Sequence, residues 1–166
     1  RFAKRMLVNQ CLNDDNRGKL YYAGAPTRQQ AKEIFWEDLK RLAPSLNVKK
    51  TREVDLKITF DNGSSIKVIG LKEFKRVQGQ LMHGIVITEY QDCDPGVYNE
   101  SIEPMINDTR GWCIKEGRPF GKNHFFDFIV QIQKFRDAFS SAIPIAMALL
   151  ASFPFIKRNI LIFLEV

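Results

Sequence analysis

Cysteine and histidine are scarce in this chain of 166 residues, with three of the first and two of the second. Cys11, Cys93 and Cys113 are odd in number and show no paired metal-ligand spacing. That excludes a disulfide framework and a local zinc site, and it suits a reducing compartment. His83 and His124 lie too far apart in sequence to form a local ligand pair, and each reads as a packing or surface residue. No secretory leader is expected, because basic and polar residues interrupt the first apolar stretch. The chain does not open on methionine, which leads us to expect a fragment. Internal repeats and low-complexity linkers are lacking as well. Acidic residues thin out towards the end: from Val130 to Val166 only Asp137 and Glu165 are acids. A two-metal nuclease centre cannot be assembled from so few carboxylates.

What is present suits one globular domain. Hydrophobic residues make up 45% and charged residues 27%, enough of each for a buried core and a solvated surface. The net charge of +6 is spread along the chain rather than clustered. It permits an anionic partner such as nucleic acid and equally suits a plain basic surface. Residues 138–156 carry no charge and are long enough to raise a membrane span. Pro144, Pro154 and three serines within the run, with no second span, favour buried or misjoined sequence, and no membrane partner is expected.

Periodicity predicts alternating strands and helices. A helix is expected to continue over residues 6–12, followed by a polar break at 13–18 and a buried strand at 20–23. Thr27 opens an amphipathic helix with Ala31, Ile34, Phe35, Leu39 and Leu42 on its apolar face, closed by Pro44. Asn62-Gly63 between apolar runs at 56–60 and 66–69 is a hairpin signal. Further core strands are expected at 84–87 and 112–114, the second ending at Gly117-Arg118-Pro119. A helix is expected after Asp94-Pro95 and a last strand at 160–164. This alternation argues for an α/β layer fold around a largely parallel sheet.

Four collinear blocks then carry a family resemblance: APTRQQAKEIFWEDLKRL, LKITFDNGSSIKVIG, GIVITEYQDCDPGVYNESIEPMI and GWCIKEGRPFGKNHFFDF. Their order and spacing resemble the ATPase domain of tailed-phage large terminases over residues 1–128. The resemblance implies a three-layer P-loop NTPase-like sandwich with a largely parallel central sheet and a β-hairpin insertion, truncated at its N-terminus. Residues 129–166 would be a divergent apolar tail, packed on the sheet or misjoined. The implied activity is ATP hydrolysis coupled to translocation of double-stranded DNA into a procapsid. ATP and Mg²⁺ are the implied cofactors. The implied partners are double-stranded DNA, the portal protein and the small terminase subunit, with the chain in a homo-oligomeric ring on the portal. The implied location is the host cytoplasm during infection, outside the finished virion. The alternative is a non-catalytic structural or interaction domain on the same scaffold.

The residues that would do this chemistry depart from the family pattern. RFAKR lies where the family carries its phosphate loop, whose glycines admit backbone N–H groups to phosphates and whose lysine neutralises them. Lys4 matches that lysine, with Arg1 and Arg5 beside it. However, Ala3 replaces a glycine and Arg5 replaces the hydroxyl residue that holds Mg²⁺. Taken alone, RFAKR is a solvated basic end. Residues 85–89 resemble the strand that ends in Asp-Glu. Glu89 stands where the carboxylate orients the attacking water, and Thr88 stands where the metal-binding Asp belongs. Thr88 could reach Mg²⁺ only through a metal-bound water. Gly117-Arg118-Pro119 resembles the coupling motif Gly-Thr-Pro. Arg76, near Gln78-Gly79, lies where the family often has an Arg-Gly pair. Gln91, Asp92 and Asp94 continue the polar run after Glu89. The resemblance thus implies an ATPase site with degraded motifs and negligible hydrolysis.

Overall fold

The structure is a computed structural model that describes residues 2–42, 46–72, 74, 79–134 and 160–163. Its backbone is one seven-stranded sheet in the order β2-β3-β4-β1-β5-β6-β7. The strands are β1 (Leu20–Ala25), β2 (Val48–Arg52), β3 (Lys57–Phe60), β4 (Ser65–Gly70), β5 (Gly84–Ile87), β6 (Trp112–Glu116) and β7 (Ile160–Phe163). From β4 through β1, β5 and β6 to β7 every pairing is parallel, while β2–β3 and β3–β4 are antiparallel. The expected hairpin therefore extends one edge of a parallel sheet.

Alternation along the inner strands sorts side chains onto two faces. Tyr21, Ala23 and Ala25 of β1, Val86 of β5 and Ile114 of β6 join one core cluster. Tyr22, Ile85, Ile87 and Cys113 join the other. Helix α1 (Phe2–Leu12) covers the first face with Ala3, Leu7, Val8 and Cys11, which recur at helical spacing. Beside it runs a continuous helical stretch made of α2 (Arg28–Ala31), a π-helical turn (Lys32–Trp36) and α3 (Glu37–Leu42). The second face is covered by the π turn Tyr98–Ile102, α4 (Glu103–Thr109) and a helix, α5, over residues 124–134. Helices on both faces of the sheet make three layers.

Local chemistry places these elements. Thr27 caps α2 reciprocally with Gln30: each side chain accepts from the other residue's backbone N–H. The π turn inserts a wider turn, so the adjacent Phe35 and Trp36 are both fully buried. Leu42, at the end of α3, is exposed rather than core-facing as expected. Asp94 accepts from Gly96 N at 2.8 Å, capping the turn before the next helix. Gly63 takes the positive φ of 83° that the hairpin turn demands, and Asn62 ties the turn to Cys11 O at 2.7 Å. At Gly70 a Cβ would lie 2.2 Å from Arg28 N, so the end of β4 meets the start of α2 backbone to backbone.

No local signal announces strand β2. Its sequence, VKKTR, has no apolar alternation and most of it is exposed, as suits an edge strand rich in cations. The 84–87 expectation coincides with β5, whose four residues are all buried. Strand β7 lies beside β6 with Cys113 opposite Ile160 and Glu116 opposite Phe163. Among the described residues no helix is long and apolar enough to cross a membrane. The uncharged run 138–156 lies outside the described residues.

Candidate functional site

The parallel strands share one carboxyl edge. The chain leaves β1 towards β4 and crosses back to β5, so the topology switches between β1 and β5. Open α/β sheets place ligands outside the carboxyl ends of strands at such a point. Thr88 and Glu89 emerge here from β5, and Thr88 N donates to Gly24 O of β1 at 2.9 Å.

Glu89 adopts the left-handed conformation, φ 51° and ψ 43°. A non-glycine residue held there costs roughly 1–3 kcal/mol, and the surrounding structure must enforce it. Asp92 N donates to the Glu89 carbonyl at 3.0 Å and so closes the turn, while Gln91 holds the Glu89 side chain. The Gln91 amide nitrogen donates to Glu89 Oε2 at 2.6 Å and to Asp92 Oδ2 at 3.3 Å, while its amide oxygen accepts from Arg118 N at 3.1 Å. The segment after β6 is drawn in again where His124 Nε2 meets Tyr90 O at 3.0 Å. The Tyr90 ring stands edge-on to His124 and Phe125, with centroids 5.1 and 5.3 Å away. Two loops at neighbouring strand ends are thus bound into one unit. Gln91 appears in the sequence only as one polar residue in a polar run, and nothing in its spacing singles it out.

The carboxylates around this turn form a negative field. The Cys93 thiol is pushed up to about 12, first by burial and then by Asp92, Asp94 and Glu89. Such a thiol stays protonated and unreactive.

Beneath the turn lies a residue the sequence did not flag. Lys115 on β6 is 1% exposed. Its ammonium stands 3.3 Å from the Tyr98 ring centroid, 3.9 Å from Phe128 and 4.6 Å from Tyr90. Burial lowers its pKa from 10.5 to about 8, and the three ring faces offset part of the desolvation of the cation. The only signal in the sequence is period two, which puts Lys115 on the same buried face as Cys113.

Lys4 is not brought to this unit. Residues 2–12 are helical, so Phe2 to Arg5 form the first turn of α1. Ala3 is core, and the Lys4 ammonium is held by Asp38 Oδ2 at 2.6 Å and by Ile34 O, both of the helical stretch 28–42. The first-turn N–H groups of α1 have no intrahelical partner, but the Lys4 ammonium is turned to Asp38. Arg5 is exposed. Arg1, Arg76 and Gln78 lie outside the described residues. Glu89 and the Gly117-Arg118-Pro119 segment are joined through Gln91. Thr88 adds a neutral hydroxyl residue at the same strand end.

The donor set does not suit Mg²⁺. Among the described residues no group of three or more His, Cys, Asp or Glu could hold a metal ion. Thr88 supplies no charge and Arg5 is itself a cation, so neither replaces a carboxylate in the shell of a hard divalent ion.

No family model and no curated protein matches the chain. Solved structures do. The large terminase ATPase domain of Thermus phage P74-26 superposes with a TM-score of 0.63 at 20% identity, over 76% of this chain and 57% of that one. The large terminase of a second thermophilic bacteriophage gives 0.61 at 18% identity, over 74% of this chain and 32% of that one. The same terminase in complex with ADP gives 0.52 at 16% identity, over 70% and 29%. The chain therefore spans little more than half of the first domain and about a third of the second protein. At these identities the likeness is one of fold: the chain has the α/β fold of phage large terminase ATPase domains.

Proposed function

We propose that this chain is a motor domain of the DNA-packaging type, with Glu89 as the carboxylate that faces a bound nucleotide, and that its own ATP turnover is negligible. The observation that carries the reading is Glu89 itself. It is held in a left-handed conformation at the switch point of the sheet and tied through Gln91 to the segment after β6. Strain enforced at a strand-end carboxylate is the arrangement expected where a side chain must be aimed. The fold relatives are terminase ATPase domains and one was solved with ADP, which supports a nucleotide as the ligand class. Double-stranded DNA, a portal, a small terminase subunit, a ring of copies on the portal and the cytoplasm of an infected host follow as proposals from the same likeness.

Negligible turnover follows from the residues in place. Lys4 is committed to Asp38, and Thr88 leaves the metal shell without its carboxylate. Positioning and charge neutralisation supply most of the catalysis in phosphoryl transfer, and both are reduced here. The Lys4–Asp38 pair also favours the second reading, a scaffold that has left nucleotide chemistry altogether.

Phosphate release with ATP and magnesium, alongside calorimetric titration of ATP, separates the two. The expected result is background turnover in the chain and in Glu89→Gln, with measurable nucleotide binding. Absence of nucleotide binding would leave the scaffold reading. Robust turnover that survives Glu89→Gln would place the active site elsewhere.

A further inference from the structure

We infer that Gln91 is the positioning residue of this site: its amide fixes the Glu89 carboxylate at one end and the backbone of Arg118 at the other. The inference rests on reading Glu89 as the functional carboxylate. The chemistry allows only one orientation of the amide. Its nitrogen donates to the carboxylates of Glu89, at 2.6 Å, and Asp92, at 3.3 Å, while its oxygen accepts from Arg118 N at 3.1 Å. A flipped amide would set oxygen against carboxylate oxygen and N–H against N–H. One orientation of the amide therefore serves both ends.

A second, independent feature makes room for this link. A Cβ on Gly117 would come within 2.1 Å of Gln91 Oε1 and 3.2 Å of Tyr90 N. The glycine lets the side chain of one loop lie against the backbone of the other. Without the link, Glu89 would keep its strand-end place but lose the hydrogen bond from Gln91 that fixes its carboxylate. Asp92 would become the near competitor for any donor, since both carboxylates share the Gln91 N–H₂.

Amide hydrogen exchange at Arg118, read by NMR on the whole chain, tests this without nucleotide. Thr88 N, bonded to Gly24 O, serves as the reference for global opening. In Gln91→Ala the Arg118 amide should exchange about tenfold faster relative to Thr88, the loss of one hydrogen bond. Glu89→Ala should also speed it, severalfold, because the amide loses its far anchor. The double variant should exchange no faster than Gln91→Ala alone, since contacts on one path are not additive. Gln91→Glu separates the two ends: it can still accept from Arg118 N but repels Glu89. It should retain most of the protection at Arg118 while the carboxyl carbon-13 signal of Glu89 moves as its hydrogen bond from residue 91 is lost. Additive effects of the two alanine variants, or an Arg118 amide indifferent to Gln91, would overturn the inference. An intact link in a chain that binds no nucleotide would instead sink the functional reading and leave Gln91 as a structural tie.

Discussion

At the residue scale two lysines sit in surroundings that their sequence context does not suggest. Lys4, which looks like a phosphate ligand, is an inter-helix tie. Lys115, which looks like an incidental strand residue, sits in a cage of rings. Replacing Lys4 with Met should lower stability by only about 1 kcal/mol, because the Asp38 pair is partly exposed. It should leave nucleotide affinity unchanged, and a weakened affinity would restore the phosphate role. Lys115 should make stability depend on alkaline pH. Its folded pKa of about 8 lies below its ordinary 10.5, so between those values the unfolded chain binds more protons. Stability contributed by this group is therefore absent below about pH 8 and grows as pH rises towards 10.5. The difference sets an upper bound of a few kcal/mol on this contribution. Denaturant melts of the chain and of Lys115→Met at pH 7.5 and 9.5 should show the wild type gaining on the variant at the higher pH. Tyr90 and Tyr98, whose hydroxyls burial pushes upwards, work in the opposite sense and are common to both proteins. A constant difference across that range would mean that Lys115 titrates normally.

At the element scale, what sequence reasoning found follows from pattern, and what it missed follows from context. Strand β5 and the β3–β4 hairpin were legible because apolar alternation and the Asn62-Gly63 turn are local signals. Strand β2 was not, because an edge strand needs no apolar face and its pairing with β3 is a tertiary fact. Nor was the π turn at Lys32–Trp36, which reveals itself only when Phe35 and Trp36 both reach the core. The Gln91 link belongs to the same class, since its partners are distant in sequence. Between β5 and β6 the packing leaves no slack: a Cβ on Gly84 would meet Trp112 Cε2 at 2.3 Å. Gly84→Ala should cost about 1–3 kcal/mol as the ring is displaced, and a melting temperature equal to wild type would show that Trp112 moves freely. The segment after β6 makes a separate, surface prediction. Phe120 is 90% exposed, and Arg118 and Lys122 nearby are exposed too. If the chain grips duplex DNA, contact is to phosphates and fades with salt. Replacing Arg118 and Lys122 with alanine should weaken binding of a labelled duplex and reduce the slope of log affinity against log salt by about 2. A slope unchanged by both substitutions would move the DNA contact elsewhere.

At the scale of the whole molecule the open question is whether the end of the chain belongs to the fold. Composition shifts sharply after residue 128, and an apolar tail of that kind reads equally as core or as passenger. The strand expected at 160–164 is present as Ile160–Phe163, parallel to β6, and it is the outermost strand on that side of the sheet. Without it, the outer backbone groups of Cys113 to Glu116 would face solvent beside an apolar strand, a template for pairing with another chain. Ending the chain at residue 134 keeps α5 and removes β7. The shortened protein should melt roughly 5 °C lower or more, and should associate as concentration rises. A gentler variant isolates the strand from the rest of the tail. Leu161→Pro deletes one backbone donor from the β6–β7 region while preserving chain length and charge. If β7 is integral, this variant should shift the melting temperature in the same direction as the deletion, by a smaller amount, and speed amide exchange along β6. If truncation and proline both leave melting, exchange and oligomeric state unchanged, the tail is a passenger, and six strands suffice for the fold.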